Sequence, residues 1–160
     1  SGMQKQGGGS ILFTSSVSAV EASPMPDFGY TAAKATLDAY AKKLGGTEAP
    51  NGIWVNALMP GSIEFPGGDW EKVQRHQPEL YAMVQNSIPF GRLGTPAEVA
   101  DAGVWLVLSR ANWVTGVALA VDGTKPREFA EQHRCYPWRA WPMPAFWISA
   151  HAPSARHLAS

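Results

Sequence analysis

The sequence contains one cysteine, Cys135, which excludes an intramolecular disulfide framework. A lone cysteine also fits a reducing compartment, so we expect a cytoplasmic location. Thirteen basic and thirteen acidic residues give a formal net charge of zero, and no basic field points to nucleic acid or anionic lipid. No apolar run approaches the ~20 residues that a membrane-spanning helix requires. We therefore expect neither a nucleic-acid partner nor a membrane partner.

The sequence also lacks the ligand spacing that is typical of a metal site. His133 and Cys135 are two residues apart, and His151 and His157 follow them. No second cysteine and no zinc-finger spacing accompany these residues. The sequence therefore predicts no metal site.

Glycine, lysine and aspartate are absent from residues 126–160, whereas all 16 glycines precede this segment. The segment instead holds three of the seven tryptophans, three of the four histidines and five prolines. Its prolines block both helical and strand periodicity. We therefore predict one domain over residues 1–125 and an atypical tail, 126–160, outside its fold. Alternatively, the tail is an evolved extension whose aromatic side chains cover an apolar surface.

Apolar segments and helical patterns alternate between residues 10 and 124. The apolar segments predict strands at about 11–14, 53–58 and 117–121. The helical patterns predict a helix at about 30–44 ended by GGTEAPNG, a helix at 70–87 interrupted near Pro78, and a helix capped by Thr95 and Glu98. This alternation predicts an α/β fold with a parallel sheet.

The segment FGYTAAKATLDAY places Tyr30 and Lys34 four residues apart, so a helix presents both side chains on one face. An ammonium beside a phenol favours the phenolate, which would help a tyrosine to exchange protons near neutral pH. Ser16 follows the first predicted strand and Pro60-Gly61 ends the second, at the sheet edge where ligands bind. The alternative is that Tyr30 and Lys34 are ordinary residues of a surface helix.

Five motifs extend this pattern: GGSILFTSSVSA, YTAAK, VNALMPGSIE, PFGRLGTPAEVA and WVTGVALAVDG. Their order resembles that of the short-chain dehydrogenases/reductases over residues 7–124. The resemblance corresponds to the C-terminal half of that family's fold. It implies a partial Rossmann-like (doubly wound) parallel sheet of about three strands with flanking helices.

The resemblance also implies hydride transfer, dependent on NAD or NADP, between a carbonyl and an alcohol of a small-molecule substrate. Tyr30 would then be the general acid/base, and Ser16 would hold the substrate oxygen, with Ser15 and Ser18 as neighbouring alternatives. Lys34 would assist Tyr30 and bind the ribose hydroxyls. The implied catalytic residues are Ser16, Tyr30 and Lys34, and the implied cofactor-binding residues are Tyr30, Lys34, Pro60, Gly61 and Ile63.

Residues 64–90 fall in the family's variable substrate lid. Trp70, Tyr81 and Met83 would line an apolar pocket there or pack within the lid. Phe65 stands where the family often has a threonine that contacts the pyrophosphate.

Other family features do not occur in the sequence. It has no G-x-x-x-G-x-G turn, and QGGGS precedes a predicted strand instead of joining a strand to a helix. The tetrad asparagine and the helix that pairs with the Tyr30 helix in the family's homo-oligomers are also missing. The second hypothesis is therefore a truncated, non-catalytic fragment without the dinucleotide-binding half.

Overall fold

The computed structural model describes residues 2–21 and 27–123, so the predicted tail lies outside the described residues. The strands are β1 (Gly9–Thr14), β2 (Ile53–Pro60) and β3 (Ala118–Val121). The helices are α1 (Gly2–Lys5), α2 (Phe28–Glu48), α3 (Asp69–His76), α4 (Pro78–Ser87) and α5 (Pro96–Val107). None of these described helices is both long and apolar enough to cross a membrane.

The three strands form one parallel sheet in the order β1-β2-β3. Gly9 lies opposite Ile53 and Ala57 lies opposite Ala118, so the carboxyl ends of all three strands meet at one edge. The predicted α/β fold with a parallel sheet is confirmed. The observed strands differ from the predicted ones by at most two residues at either end.

Helices cover both faces of the sheet. Successive side chains of a strand point to opposite sides, so each strand contributes apolar residues to both helix layers. On one face, the strands pack against α2 through a core of Ala41, Leu44, Ile53, Val55, Ala57, Ile11 and Phe13, with Met3 of α1 beside it. On the other face, Leu12 and Leu58 approach Gly103 of α5, where an added Cβ would lie 3.4 and 3.5 Å from their methyl groups. This two-sided cover is the doubly wound arrangement that the resemblance implied.

Helix α2 is longer than its predicted span. The sequence predicted a helix end at Leu44, but the helix continues through Gly45 and Gly46 to Glu48, so this boundary was wrong. A Cβ on Gly45 would lie 2.7 Å from the Gly116 nitrogen and 2.7 Å from the Thr115 hydroxyl oxygen. Gly45 therefore serves close packing of α2 against this turn and does not end the helix.

The break near Pro78 is confirmed, because α3 ends at His76 and α4 begins at Pro78. The predicted helix start at Thr95 is confirmed in detail. Thr95 Oγ1 accepts a hydrogen bond from the Glu98 amide, and the Glu98 carboxylate accepts one from the Thr95 amide. This capping box fixes the position at which the chain enters α5.

Candidate active site

Two serines stand at the carboxyl end of β1, and the fold uses them differently. The Ser15 amide extends the strand ladder to the Leu58 carbonyl, and its buried hydroxyl donates to the backbone carbonyl of Lys34 at 3.1 Å. Ser16 turns the chain into a short 3₁₀ turn, Val17–Ala19, and its hydroxyl oxygen accepts from the Ser18 amide at 3.2 Å. The Ser15 hydroxyl thus fastens β1 to α2, whereas Ser16 begins the loop that leaves the sheet.

Tyr30 and Lys34 lie in the first two turns of α2, as their spacing predicted. The Lys34 Nζ atom is 5.4 Å from the centroid of the Tyr30 ring. The same ammonium donates a hydrogen bond of 2.9 Å to the carbonyl oxygen of Thr14, the last residue of β1. Tyr30 keeps 48% of its surface exposed, so its hydroxyl is reachable from solvent. A cation is therefore held between an accessible phenol and the strand end that precedes Ser16.

One carboxylate close to this pair was not anticipated from the sequence. Asp38 lies one turn after Lys34, and both of its oxygens are buried without a hydrogen-bond partner among the described residues. Burial raises the pKa of Asp38, while the hydroxyl of Ser15 and the positive charge of Lys34 act in the opposite direction. The face of α2 that carries the predicted catalytic pair therefore also carries a poorly solvated acid.

The end of β2 forms the second part of the candidate site. The Gly61 amide donates to the Val121 carbonyl at 2.9 Å, and an added Cβ on Gly61 would lie 2.6 Å from the Cβ of Asp122. Only glycine permits this close approach, which places the half-buried backbone of Gly61 directly against Asp122. Ile63 then forms an isolated parallel bridge with Gly94. The predicted cofactor-contacting segment is thus fixed to both β3 and the start of α5.

An apolar cavity of about 540 Å³ lies between the strand ends and α5. Its lining includes Thr14 of β1, Pro60 of β2, and Ile63 and Phe65 beyond β2. Tyr30 and Lys34 are not among its lining residues, so this cavity does not bring together all the predicted site residues. Thr14 connects the two groups, because it lines the cavity and its carbonyl accepts from Lys34.

Asn56 of β2 binds the loop that leads into β3. It was not predicted from the sequence as a residue that shapes the site. It is 1% exposed in the central strand. Its Nδ2 donates to the Val114 carbonyl at 2.8 Å, and its Oδ1 accepts from the Val117 amide at 3.2 Å. These bonds clamp the loop that leads into β3. The signal was one polar residue inside the apolar run IWVNALM, since a buried amide requires partners.

The lid prediction is only partly matched by the geometry. Tyr81 of α4 lies in a polar setting, where its hydroxyl donates a short hydrogen bond to the Glu64 carboxylate. Both residues line a cavity that also includes Arg92, Thr95 and Glu98. Met83 is 67% exposed. Tyr81 and Met83 therefore do not join Trp70 in an apolar pocket among the described residues.

In the described part of the chain, no group of three or more His, Cys, Asp or Glu side chains could hold a metal ion. The four residues weighed for zinc, His133, Cys135, His151 and His157, lie outside the described residues.

The chain is similar to known oxidoreductases in both sequence and structure. A family model described as enoyl-(acyl carrier protein) reductase matches residues 2–123. The isoepoxydon dehydrogenase patN of Aspergillus clavatus is 39% identical over 114 residues, which are 71% of this chain and 44% of that protein. An oxidoreductase of the short chain dehydrogenase/reductase family from Burkholderia thailandensis superposes with a TM-score of 0.70 at 32% identity, covering 82% of this chain and 51% of that one.

A 3-oxoacyl-[acyl-carrier protein] reductase of Brucella melitensis, solved with bound NAD, has a TM-score of 0.66 at 36% identity. The match covers 76% of this chain and 42% of that one. The chain thus spans about half the length of the curated relatives it matches. Its match to the patN protein, for example, covers 44% of that protein. The matched region contains the strand-end serines, the Tyr30–Lys34 pair and the Pro60–Ile63 segment. The chain belongs to the short-chain dehydrogenase/reductase family.

Proposed function

We propose that this chain provides the catalytic half of an NAD(P)-dependent oxidoreductase that interconverts a carbonyl and an alcohol. The observation that carries the proposal is the position of Lys34, 5.4 Å from the Tyr30 ring centroid and 2.9 Å from the Thr14 carbonyl. This position places a cation beside an exposed phenol and at the strand end that precedes Ser16. A phenol that gives up and regains a proton is what reduction of a carbonyl requires.

The proposed roles follow from the surroundings of each side chain. Tyr30 donates its proton to the carbonyl oxygen during reduction and accepts it back during oxidation. Ser16 holds that oxygen, because its hydroxyl lies at the strand end whereas the Ser15 hydroxyl is occupied by the Lys34 carbonyl. Lys34 stands beside the Tyr30 ring and would bind the ribose hydroxyls of the cofactor.

The cofactor proposed is NAD or NADP, which supplies the hydride when bound. Three features of the described residues fit its nicotinamide end: Pro60 and Ile63 in the lining of the apolar cavity, the close-packed glycine at position 61, and the ammonium of Lys34. The sequence has no glycine-rich turn between a strand and a helix to hold the pyrophosphate. The fit therefore concerns the reacting end of the cofactor and not its adenine end.

The proposed substrate is a small molecule that contains a carbonyl or a secondary alcohol. The relatives bear names as different as isoepoxydon dehydrogenase and 3-oxoacyl-[acyl-carrier protein] reductase, so kinship supports the reaction class and not one substrate. Homo-oligomers typical of the family, a cytoplasmic location, and the absence of nucleic-acid and membrane partners belong to the same proposal. The balanced charge and single cysteine of the sequence support the last three.

A second candidate is a family segment without activity of its own, with residues 126–160 outside its fold. Two observations favour it. Among the described residues β1 pairs on one side only, with β2, and the sequence lacks a pyrophosphate-binding turn. An uncovered strand edge invites pairing with another chain.

Titration of the chain with NADH and NADPH, followed by nucleotide fluorescence, separates the candidates. The second candidate predicts no saturable binding. Saturable binding in the micromolar range, with carbonyl-dependent NAD(P)H oxidation that Tyr30→Phe abolishes, supports the enzyme. Tyr40→Phe is the matched control because Tyr40 lies on the same helix and its ring packs edge-on against Phe13. Equal rates in the wild type and Tyr30→Phe would contradict the role of Tyr30.

A further inference from the structure

Helices α3 and α4 form a hairpin that is weakly packed against the rest of the described structure. Neither helix contains a buried residue. Their main contacts are with each other. The two ion pairs of α3, Lys72–Asp69 and Arg75–Glu71, are internal to that helix and leave its position undetermined. Apolar burial in this hairpin is limited to half-buried side chains and to Ile88 at the end of α4, so polar contacts contribute to where the hairpin lies.

One such contact joins the hairpin to the chain that leaves β2. The Tyr81 hydroxyl, in the middle of α4, donates a short hydrogen bond to the carboxylate of Glu64, 17 residues earlier. A hydrogen bond to a charged acceptor is stronger than one between neutral groups. The Glu64 carboxylate raises the pKa of Tyr81 above its ordinary value of 10.0, chiefly through this hydrogen bond.

Glu64 is itself rigidly held. Its amide donates to the Gly94 carbonyl at 2.8 Å, and the Gly94 amide donates to the Ser62 carbonyl at 3.0 Å. These two bonds flank the bridge between Ile63 and Gly94. A force on the Glu64 side chain is therefore transmitted to the backbone of Ile63, which lines the apolar cavity.

We propose that Tyr81 and Glu64 are positioning residues whose hydrogen bond fastens the α3–α4 hairpin to segment 60–64. The hairpin and the segment then move as one unit. The part of this inference that concerns catalysis rests on the proposed function, since it takes segment 60–63 as the nicotinamide contact and the hairpin as the substrate lid. The mechanical coupling does not rest on it.

Hydrogen exchange of the full chain, followed by mass spectrometry, tests the coupling. Tyr81→Phe removes only the donated hydrogen bond. We expect exchange in residues 69–87 to accelerate at least tenfold, and exchange of the Glu64 amide to accelerate with it. Tyr40→Phe, which keeps the ring that contacts Phe13, should leave both regions at wild-type rates. Wild-type exchange in either region of Tyr81→Phe overturns the proposal.

A double-mutant cycle tests whether a general loss of packing, and not the loss of this hydrogen bond, causes the faster exchange. Glu64→Ala should match Tyr81→Phe, and the double variant should exchange no faster than either single variant. Glu64→Gln, which keeps an acceptor oxygen, should recover part of the protection. Additive effects in the double variant would contradict the proposed bond.

Added NADH separates this inference from the proposed function. If segment 60–63 contacts the nicotinamide, NADH should slow exchange in residues 60–65 of the wild type. Failure of NADH to do so counts against the proposed function and leaves the coupling to be decided by the variants alone.

Discussion

The ammonium of Lys34 in α2 donates a hydrogen bond of 2.9 Å to the backbone carbonyl of Thr14, the last residue of β1. The bond joins the helix face that carries Tyr30 to the strand end that precedes Ser16. It is reinforced by the Ser15 hydroxyl, which donates to the Lys34 backbone carbonyl at 3.1 Å. Helix and strand are thus fastened in both directions, and the relative placement of the three proposed catalytic residues depends on this pair of bonds.

Replacement of Lys34 by Met should separate the chemical role of the ammonium from its structural role. The variant loses an exposed hydrogen bond, so the free energy of unfolding should fall by only about 1 kcal/mol or less. Carbonyl reduction should fall by roughly 100-fold or more, because the variant removes the cation beside Tyr30, the proposed proton-transfer group, and such a group contributes about 10²–10⁴-fold. Lys43→Met, an exposed lysine of the same helix, is the control. Undiminished reduction by Lys34→Met would contradict the proposed site.

Adjacent glycines in α2 should respond oppositely to the same substitution. A Cβ on Gly45 would lie 2.7 Å from the Gly116 nitrogen, so Gly45→Ala should destabilise the fold by about 1–3 kcal/mol. Nothing lies within 4 Å of a Cβ on Gly46, so Gly46→Ala should stabilise the helix by about 0.5–1 kcal/mol. Chemical denaturation of both variants measures the difference. Equal shifts would show that α2 does not pack on the 115–116 turn as described.

The parts of the site that depend on local spacing were predictable from the sequence. Tyr30 and Lys34 share a face because a helix brings residues four apart together, and Thr95 with Glu98 forms a capping box for a similarly local reason. The strand-end position of Ser16 followed from an apolar run that ends in hydroxyl residues.

The remaining parts depend on contacts between distant segments. The partners of Asn56 are 58 and 61 residues away, so the sequence shows a polar residue in an apolar run but not what it binds. Gly45 resembled a helix end because glycine permits many backbone conformations, whereas its actual role is set by the distant turn at Gly116. The burial of Asp38 and the tether between Tyr81 and Glu64 likewise require the folded arrangement.

Asn56 should be among the most costly single replacements in the sheet. Asn56→Ala leaves the Val114 carbonyl and the Val117 amide without their Asn56 partners. A protein hydrogen bond contributes about 0.5–1.5 kcal/mol, so we expect the loss of both to lower the free energy of unfolding by roughly 1–3 kcal/mol. Asn51→Ala, where an exposed amide donates to Glu48, should cost about 0.5 kcal/mol. Similar losses in both variants would show that Asn56 does not clamp the loop before β3.

Asp38 should make the stability of the fold decrease as pH rises through the acidic range. Burial is the largest influence on this carboxyl and raises its folded pKa above the ordinary value of 3.8. The folded state then binds more protons than the unfolded state between 3.8 and the raised pKa, so stability falls with rising pH across that interval and is constant above it. Asp38→Asn removes the titration, and the variant should be more stable than the wild type at neutral pH.

Denaturation at several pH values from acidic to neutral measures this dependence. The difference in unfolding free energy between wild type and Asp38→Asn should widen as the carboxyl ionises and then stay level. Asp101→Asn, at an exposed aspartate of α5, is the matched control for the removal of one negative charge. A wild type that gains stability relative to Asp38→Asn as pH rises would mean that Ser15 and Lys34 stabilise the carboxylate more than burial destabilises it.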